Sequence, residues 1–213
     1  MNEPNSQNEK PKEERRLDPE LLKKGLRCDL DQYEMLKHCS EKKDTTEWNQ
    51  WRKEHRGKEI LLEGAKFRRA FLEGANFKDA HLKESNFSLA HLEGSFFHKA
   101  FLQGASLKNA HLQDAVFPGA DMSGTNVIAA NVNGFTSFWK CKVNRYCRDR
   151  KFTDFSGVSV NVARIEPSVK QLLEYNVRRK NWEEWCQSEN EPIRHGALIF
   201  SNPDFPDDLL ILR

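Results

Sequence analysis

The chain has 213 residues, and its 34 lysines and arginines nearly balance its 32 aspartates and glutamates, leaving a formal charge of +2. This balance argues against a protein that binds nucleic acid through a large net positive charge, and equally against a strongly acidic protein. No apolar run approaches the about 18 residues of a membrane span, and the start lacks the apolar core of a signal peptide. Its 5 cysteines are therefore expected to be free thiols, which predicts a soluble, cytoplasmic protein.

The N-terminal part divides into a tail and a helical region. Residues 1–17 are polar and charged and are predicted to be disordered. Residues 18–58 are predicted to be helical, beginning with Asp18 as a cap before a proline. A later helix carries Trp48 and Trp51 three residues apart, hence on one face.

A period of five residues begins at Ile60 and runs through fifteen units to Gly134. The units include ILLEG, AKFRR, AFLEG and ANFKD; the first position is usually Ala, and the third is always Leu, Phe, Met or Val. Neither a helix, with its period of 3.6, nor a strand, with its period of 2, fits this repeat. After Gly134 the phase shifts by one residue, Phe135, and a loop is predicted within 135–152 before the pattern resumes towards residue 167.

This pattern resembles the pentapeptide-repeat family, whose unit is written A(D/N)LXX. The resemblance implies a mainly β fold, a right-handed quadrilateral β-helix of about five coils over residues 59–167. With four units in each turn, every residue would stack on the residue twenty positions later, about 4.8 Å away. The third positions support this turn because like residues then stack on like. They form the predicted core: Leu62, Phe67, Leu72, Phe77, Leu82, Phe87, Leu92, Phe97, Leu102, Leu107, Leu112, Phe117 and Met122.

The remaining inward and corner positions follow from packing. The first-position alanines must also point inward, because four large side chains already fill each layer. The glycines of the repeat fall on the fifth position, where a corner favours positive φ.

Open ends of such a coil would expose apolar rings and unpaired edges. We expect the helix with Trp48 and Trp51 to cap one end and a predicted helix over 168–187 to cap the other, followed by a C-terminal tail at 188–213. Partner binding by the tryptophans is the alternative.

The sequence offers no pattern of catalytic nucleophile and base and no glycine loop for a phosphate. It therefore predicts a non-enzymatic protein without a cofactor.

Cys141 and Cys147 lie near basic residues, which can lower a thiol pKa, but ordinary thiols are the favoured interpretation. His91 and His111 are twenty residues apart and could share a metal ion. A ladder of stacked rings is favoured instead, because the sequence shows no third ligand.

The outer surface is the better place to look for function. Phe71, Phe96 and Phe101 occupy second positions, which point outward, so they are candidates for partner contact unless the N-terminal helices cover them. His91 and His111 join them as candidates. A second candidate surface is a basic loop with Arg145, Arg148, Arg150 and Lys151.

The sequence therefore predicts a scaffold that binds a protein partner through the outer faces of a rigid coil. Some members of the family are acidic DNA mimics that bind the type II topoisomerase gyrase. The charges of units 60–134 cancel, with seven basic residues against seven acidic ones. Because a DNA mimic is acidic, that function is kept here only as an alternative. Another alternative is a soluble regulatory component of a membrane protein, with peripheral membrane association. Nucleic acid is an improbable partner, and both a monomer and a homodimer through the C-terminal helix are compatible with the sequence.

Overall fold

A computed structural model describes residues 16–144, 152–158, 163–187, 200–201 and 209–210 of the chain. The chain divides into two compact units, residues 1–177 and 178–213. Its helices and strands are α1 (Pro19–Leu22), α2 (Leu30–Lys42), α3 (Thr46–Glu54), α4 (Pro167–Gln187), β1 (Phe200–Ser201) and β2 (Leu209–Leu210). β1 and β2 pair antiparallel.

The repeat region is a coil with four five-residue units in each turn. Parallel bridges join second-position residues twenty apart. One column joins Leu61, His81, Phe101 and Asp121 in succession and reaches a fifth level at Lys142. Because the bridges recur at this interval on every side, the period of five produces a four-sided coil.

The coil contains isolated bridges rather than strands, so the expectation of a mainly β protein needs correction. Within the described residues, the only extended strands are β1 and β2. Each unit uses two residues for a turn, which leaves a single bridging residue on each side. The backbone ladder is nevertheless regular: the second-position N–H donates to the coil below, as His91 does to the Ala70 carbonyl at 2.8 Å.

The coil continues beyond Gly134 despite the inserted Phe135. Val116 bridges to Ser137, one residue later than the period requires. Asn126 bridges to Asp154, so the extra residues before Thr153 leave the stacking intact. Ser137 in turn bridges to Arg164. The inserted Phe135 therefore lies in a turn and leaves the bridges of the next coil in place.

The interior is filled by third-position side chains. All thirteen predicted core residues are 0–1% exposed. Phe77, Phe97 and Phe117 stack with centroid distances of 5.0 and 4.7 Å, and Phe138 continues the column at 5.0 Å. The first-position alanines from Ala75 to Ala120 are also fully buried, because a larger side chain there would meet the neighbouring core residues.

The corner at the fifth position has positive φ whether or not the residue is glycine. Gly74 and Gly119 have φ of 65° and 69°, and Leu89 and Ala129 have φ of 62° and 52°. Gly134, predicted to be such a corner, is not among the positive-φ residues, in keeping with the insertion that follows it. Non-glycine residues here carry a conformational cost of about 1–2 kcal/mol.

We expect Ala129→Gly to raise the free energy of unfolding by about 0.5 kcal/mol, because relief of the left-handed backbone exceeds the added entropy of the unfolded chain. Ala129 is exposed, so little packing is lost. Gly119→Ala is the matched control. Its Cβ would meet the Lys99 side chain at an ordinary 3.5 Å, so the backbone cost of about 1 kcal/mol should dominate. Urea unfolding of both variants checks this; changes of the same sign would contradict it.

The N-terminal helices complete the hydrogen bonding of the first coil. The first coil has no coil beneath it, so its lower main-chain groups need other partners. Gln32 Oε1 accepts from Leu61 N–H at 2.9 Å, and Ser40 Oγ accepts from Phe71 N–H at 2.9 Å. Three other groups donate to first-coil carbonyls: Asp29 N–H to Leu61, Tyr33 O–H to Lys66 and Thr45 O–H to Glu73.

Helix α3 closes the same end with aromatic packing. Trp48 is fully buried, and its Nε1–H donates to the Asn76 carbonyl at 3.0 Å. Its ring lies 6.2 Å from Phe77 and stacks on Trp51 at 5.5 Å. Asn49 Oδ1 accepts a hydrogen bond from the Asn76 N–H, and Asn49 Nδ2 donates one to the Gly74 carbonyl. Helix α3 thus covers both the Phe77 ring, at the N-terminal end of its column, and the main-chain edge of the first coil.

The segment before α1 is also held in place. Arg16 and Leu17 were predicted to belong to a disordered tail, but Leu17 bridges to Asp29, and the Arg16 guanidinium lies 2.7 Å from the Asp31 carboxylate. Pairing with the start of α2 explains the difference. The predicted disorder of residues 1–15 lies outside the described residues.

The first part of α4 packs on the last described turns of the coil. Leu173 is fully buried, and the Asn176 amide donates to the carbonyls of Asn144 and Thr153 at 2.9 and 3.0 Å. These contacts cover a coil edge at the C-terminal end. The side chains of Trp182 and Trp185, later in α4, lie outside the described residues.

Candidate functional site

One side of the coil carries a run of apolar side chains, here called the aromatic face: Phe96, Val116, Pro118 and Trp139, of which Val116 and Pro118 are half-buried. Phe96 and Trp139 are 50% and 46% exposed. Val116 bridges to Phe96 from the next coil, and the Gly119 N–H, next to Pro118, bonds to the Trp139 carbonyl at 3.1 Å. The four side chains therefore occupy successive coils of one side. Exposed apolar side chains grouped in this way are typical of contact surfaces.

The sequence analysis found only Phe96 of this face. Trp139 lies at a fourth position in the unit after the inserted Phe135, where the phase is hardest to read. The signal that was available is the apolar character of Pro118 and Trp139 at fourth positions that the other units, except the one with Ile128, fill with polar residues.

The corner beside the aromatic face is basic. Lys78, Lys99 and Lys140 lie at the fourth or fifth positions of units on this side and are exposed, against one exposed carboxylate, Asp79. His98 is exposed at the same side. An apolar centre with a positive border favours a partner with apolar and acidic side chains.

Phe101 and Phe71 differ in how much they are covered. Phe101 is 42% exposed on the next side of the coil and stacks over His81 at 4.8 Å. Phe71 is only partly exposed: Lys43 Nζ lies 4.2 Å from its ring centroid, and His91 stacks on its other face at 4.6 Å. The N-terminal helices therefore cover Phe71, but they leave Phe101 and Phe96 exposed.

A second cluster lies on the side that carries Phe71 and contains His91, Glu93 and His111. The two imidazoles stack at 4.5 Å with planes 3° apart. Glu93 Oε1 lies 3.3 Å from His91 Nδ1 and 3.8 Å from His111 Nδ1. Asn131 Nδ2 approaches His111 Nδ1 at 3.4 Å.

Sequence reasoning missed Glu93. His91 and Glu93 are two residues apart in one unit, on either side of the buried Leu92, so both side chains face outward. A signal was present, since a carboxylate at the fourth position follows a histidine at the second. The structure thus supplies a third ligand. The absence of a third ligand from the sequence analysis was the reason for favouring a ladder of stacked rings over a metal site.

A further histidine helps to attach the N-terminal region. His81 Nδ1 lies 3.3 Å from the Arg27 guanidinium and 3.7 Å from the Glu63 carboxylate. Glu63 is buried and also accepts from the Arg27 N–H at 2.8 Å. This group joins the first two coils to the chain before α2, so we assign it to stability.

The described cysteines do not have the character of nucleophiles. Cys28, Cys39 and Cys141 are free and buried. Burial raises the pKa of Cys141 to about 12, and burial together with nearby carboxylates raises the pKa of Cys28 to about 12. Both shifts oppose the thiolate that reactive cysteines need. Cys147 and the candidate basic residues Arg145, Arg148, Arg150 and Lys151 lie outside the described residues.

Comparisons with known proteins agree with the repeat. The family model for pentapeptide repeats matches residues 59–94 and 97–134 as eight copies. No curated protein matches the chain. Of the helices in the described part of the chain, none is long and apolar enough to cross a membrane.

Several solved structures are similar to part of the chain. A pentapeptide repeat protein from the thylakoid lumen of Arabidopsis thaliana is 28% identical, covering 46% of this chain and 80% of its own, with a TM-score of 0.31. A pentapeptide repeat protein from Nostoc PCC 7120 is 25% identical, covering 47% and 84%, with a TM-score of 0.26. QnrB1, a plasmid-mediated fluoroquinolone resistance protein, is 16% identical, covering 55% and 71%, with a TM-score of 0.26.

Proposed function

Over residues 59–94 and 97–134 this chain belongs to the pentapeptide-repeat family, and we propose that it is a non-enzymatic scaffold that binds a protein partner through the aromatic face. The observation that carries the proposal is the exposure of Phe96 and Trp139 on one side of a coil whose interior is closely packed. Phe101 extends the contact around the corner, and it is 42% exposed.

The structure of the face suits recognition. The main chain behind Phe96 and Val116 is held by bridges to the coils on either side, so the rings are presented by a rigid backbone. Little backbone entropy is then lost on docking. Aromatic side chains contribute much of the binding energy at protein interfaces.

The charges favour an apolar and acidic partner over the interaction of a DNA mimic. A DNA mimic needs a strongly negative surface, whereas the corner beside the aromatic face carries Lys78, Lys99 and Lys140. Gyrase binding therefore has no support from this face. A role beside a membrane protein is compatible with the same face, since the partner would still be a protein surface.

The proposal is tested with a Phe96→Glu/Trp139→Glu variant in affinity capture from source cells, with partners identified by mass spectrometry. The matched control is Leu22→Glu/Ile128→Glu, which adds the same charge at apolar positions of α1 and of another side of the coil. We expect a partner retained by the wild type and the control, and reduced at least tenfold with the aromatic-face variant. Binding is then measured with the purified partner.

Equal capture of every partner by both variants, with both folded by circular dichroism, would rule out the aromatic face as the contact surface. A supercoiling assay with gyrase addresses the DNA-mimic alternative directly, and inhibition by this protein at stoichiometric concentration would support that alternative instead.

A further inference from the structure

We propose that His91, Glu93 and His111 form a binding site for a divalent transition-metal ion of the zinc class. The three side chains offer two imidazole nitrogens and one carboxylate oxygen, and these atoms all lie within 4.8 Å of one another. Two histidines and one glutamate leave a fourth position open in a tetrahedral site.

The distances are close to those of a tetrahedral site. Ligand bonds of about 2.0–2.2 Å place neighbouring ligand atoms roughly 3.4 Å apart. Glu93 Oε1 and His91 Nδ1 already have this separation, at 3.3 Å. His111 Nδ1 lies 3.8 Å from the same oxygen. Because the two imidazole planes are parallel within 3° and a metal ion lies in the plane of each ring that binds it, the His111 ring must rotate out of the stack to complete the set.

The carboxylate has an unused oxygen. Among the described residues, no hydrogen-bond donor reaches Glu93 Oε2, although that atom is buried. A buried carboxylate oxygen without a partner has a substantial desolvation cost. A bound cation would offset that cost, either by bidentate coordination or by neutralising the carboxylate.

The surroundings position the His91 ring and leave all three ligands accessible. His91 is fixed from below by stacking on Phe71 at 4.6 Å, and the backbones of His91 and His111 are joined by a bridge. The ligand side chains are 32–35% exposed, so a hydrated ion can enter from solvent. The site needs no movement of the main chain.

The ligand set selects the class of metal. Imidazole nitrogens suit zinc, nickel, cobalt and copper, whereas magnesium and calcium prefer sites built from oxygen ligands. The bound ion would join the second coil, which holds His91 and Glu93, to the third, which holds His111. It therefore acts as a cross-link between neighbouring coils.

Titration calorimetry of the full chain with Zn²⁺, after treatment with a chelator, tests the site. We expect one site lost or weakened at least about tenfold in His111→Asn and in Glu93→Gln. Asparagine is conservative here because Asn131 occupies the next level of the same column. His98→Asn is the matched control, an exposed histidine on another side, and should bind Zn²⁺ like the wild type.

A second readout identifies the ligand atoms. Nitrogen NMR of the histidine rings should show Zn²⁺-induced shifts at the Nδ1 atoms of His91 and His111 and none at His98. Zn²⁺ should also raise the unfolding temperature of the wild type, but not that of His111→Asn. Zn²⁺ binding that is unchanged in both ligand variants, or absent from the wild type at micromolar concentrations, would overturn the proposal.

Discussion

Replacing Phe97 with alanine is expected to lower the free energy of unfolding by about 3–5 kcal/mol. Phe97 is fully buried and lies between Phe77 and Phe117 in the aromatic column, at 5.0 and 4.7 Å. Phe87 also contacts its edge at 6.1 Å. Truncation therefore leaves a cavity between two rings that the regular backbone cannot close. Urea unfolding followed by circular dichroism measures the loss.

The adjacent Phe96 provides the matched control. It has the same side chain on the same backbone segment but is 50% exposed, so Phe96→Ala should cost less than about 1 kcal/mol. A similar loss in both variants would show that the outer ring is part of the folding core, and would count against a free aromatic face.

The second large effect is expected at the N-terminal cap, where Trp48→Ala should lower the free energy of unfolding by about 3–5 kcal/mol. The substitution removes the packing on Phe77 and the hydrogen bond to the Asn76 carbonyl. It also uncovers the edge of the first coil, so we expect concentration-dependent association. Denaturant unfolding and analytical ultracentrifugation measure the two effects.

Trp48→Phe separates the two contributions. It keeps an aromatic ring against Phe77 but removes the Nε1–H donor, leaving the Asn76 carbonyl without that bond. We expect a cost of about 1–3 kcal/mol and no association. If Trp48→Ala stays monomeric and loses less than about 1 kcal/mol, helix α3 does not protect the coil end.

The four-sided coil could be predicted from sequence because its cause is local and repeated. Most third-position residues have the same or a similar residue twenty positions later, as Phe77 has Phe97, so the columns reveal the length of the turn. The start of α1 was equally readable, since Asp18 accepts from the N–H groups of Glu20 and Leu21.

The attachment of the helices could not be predicted in the same way. Gln32, Ser40 and Asn49 hold the first coil through side-chain bonds to main-chain groups. Such bonds are satisfied by any polar residue that is in reach, so they leave no spacing pattern. For the same reason Phe71 looked as free as Phe96, although Lys43 lies over its ring.

The candidate sites were readable only in part. The alignment of His91 and His111 followed from the period, but the approach of the Glu93 carboxylate to both rings depends on the conformation of its side chain. The exposed Trp139 follows the inserted Phe135, so the side of the coil that it occupies is identified only after the one-residue shift is applied.

The bridged columns hold outward-facing side chains at regular intervals along the coil. Because each coil adds one level, the number of coils between two outward side chains in one column fixes the distance between them, at about 4.8 Å for each coil. His91 and His111 are one level apart, and Phe101 and Lys142 are two. Sequence changes at the corners alter the side-chain chemistry at one level of the coil without changing the spacing between levels. The spacing and the identity of surface groups can therefore vary independently.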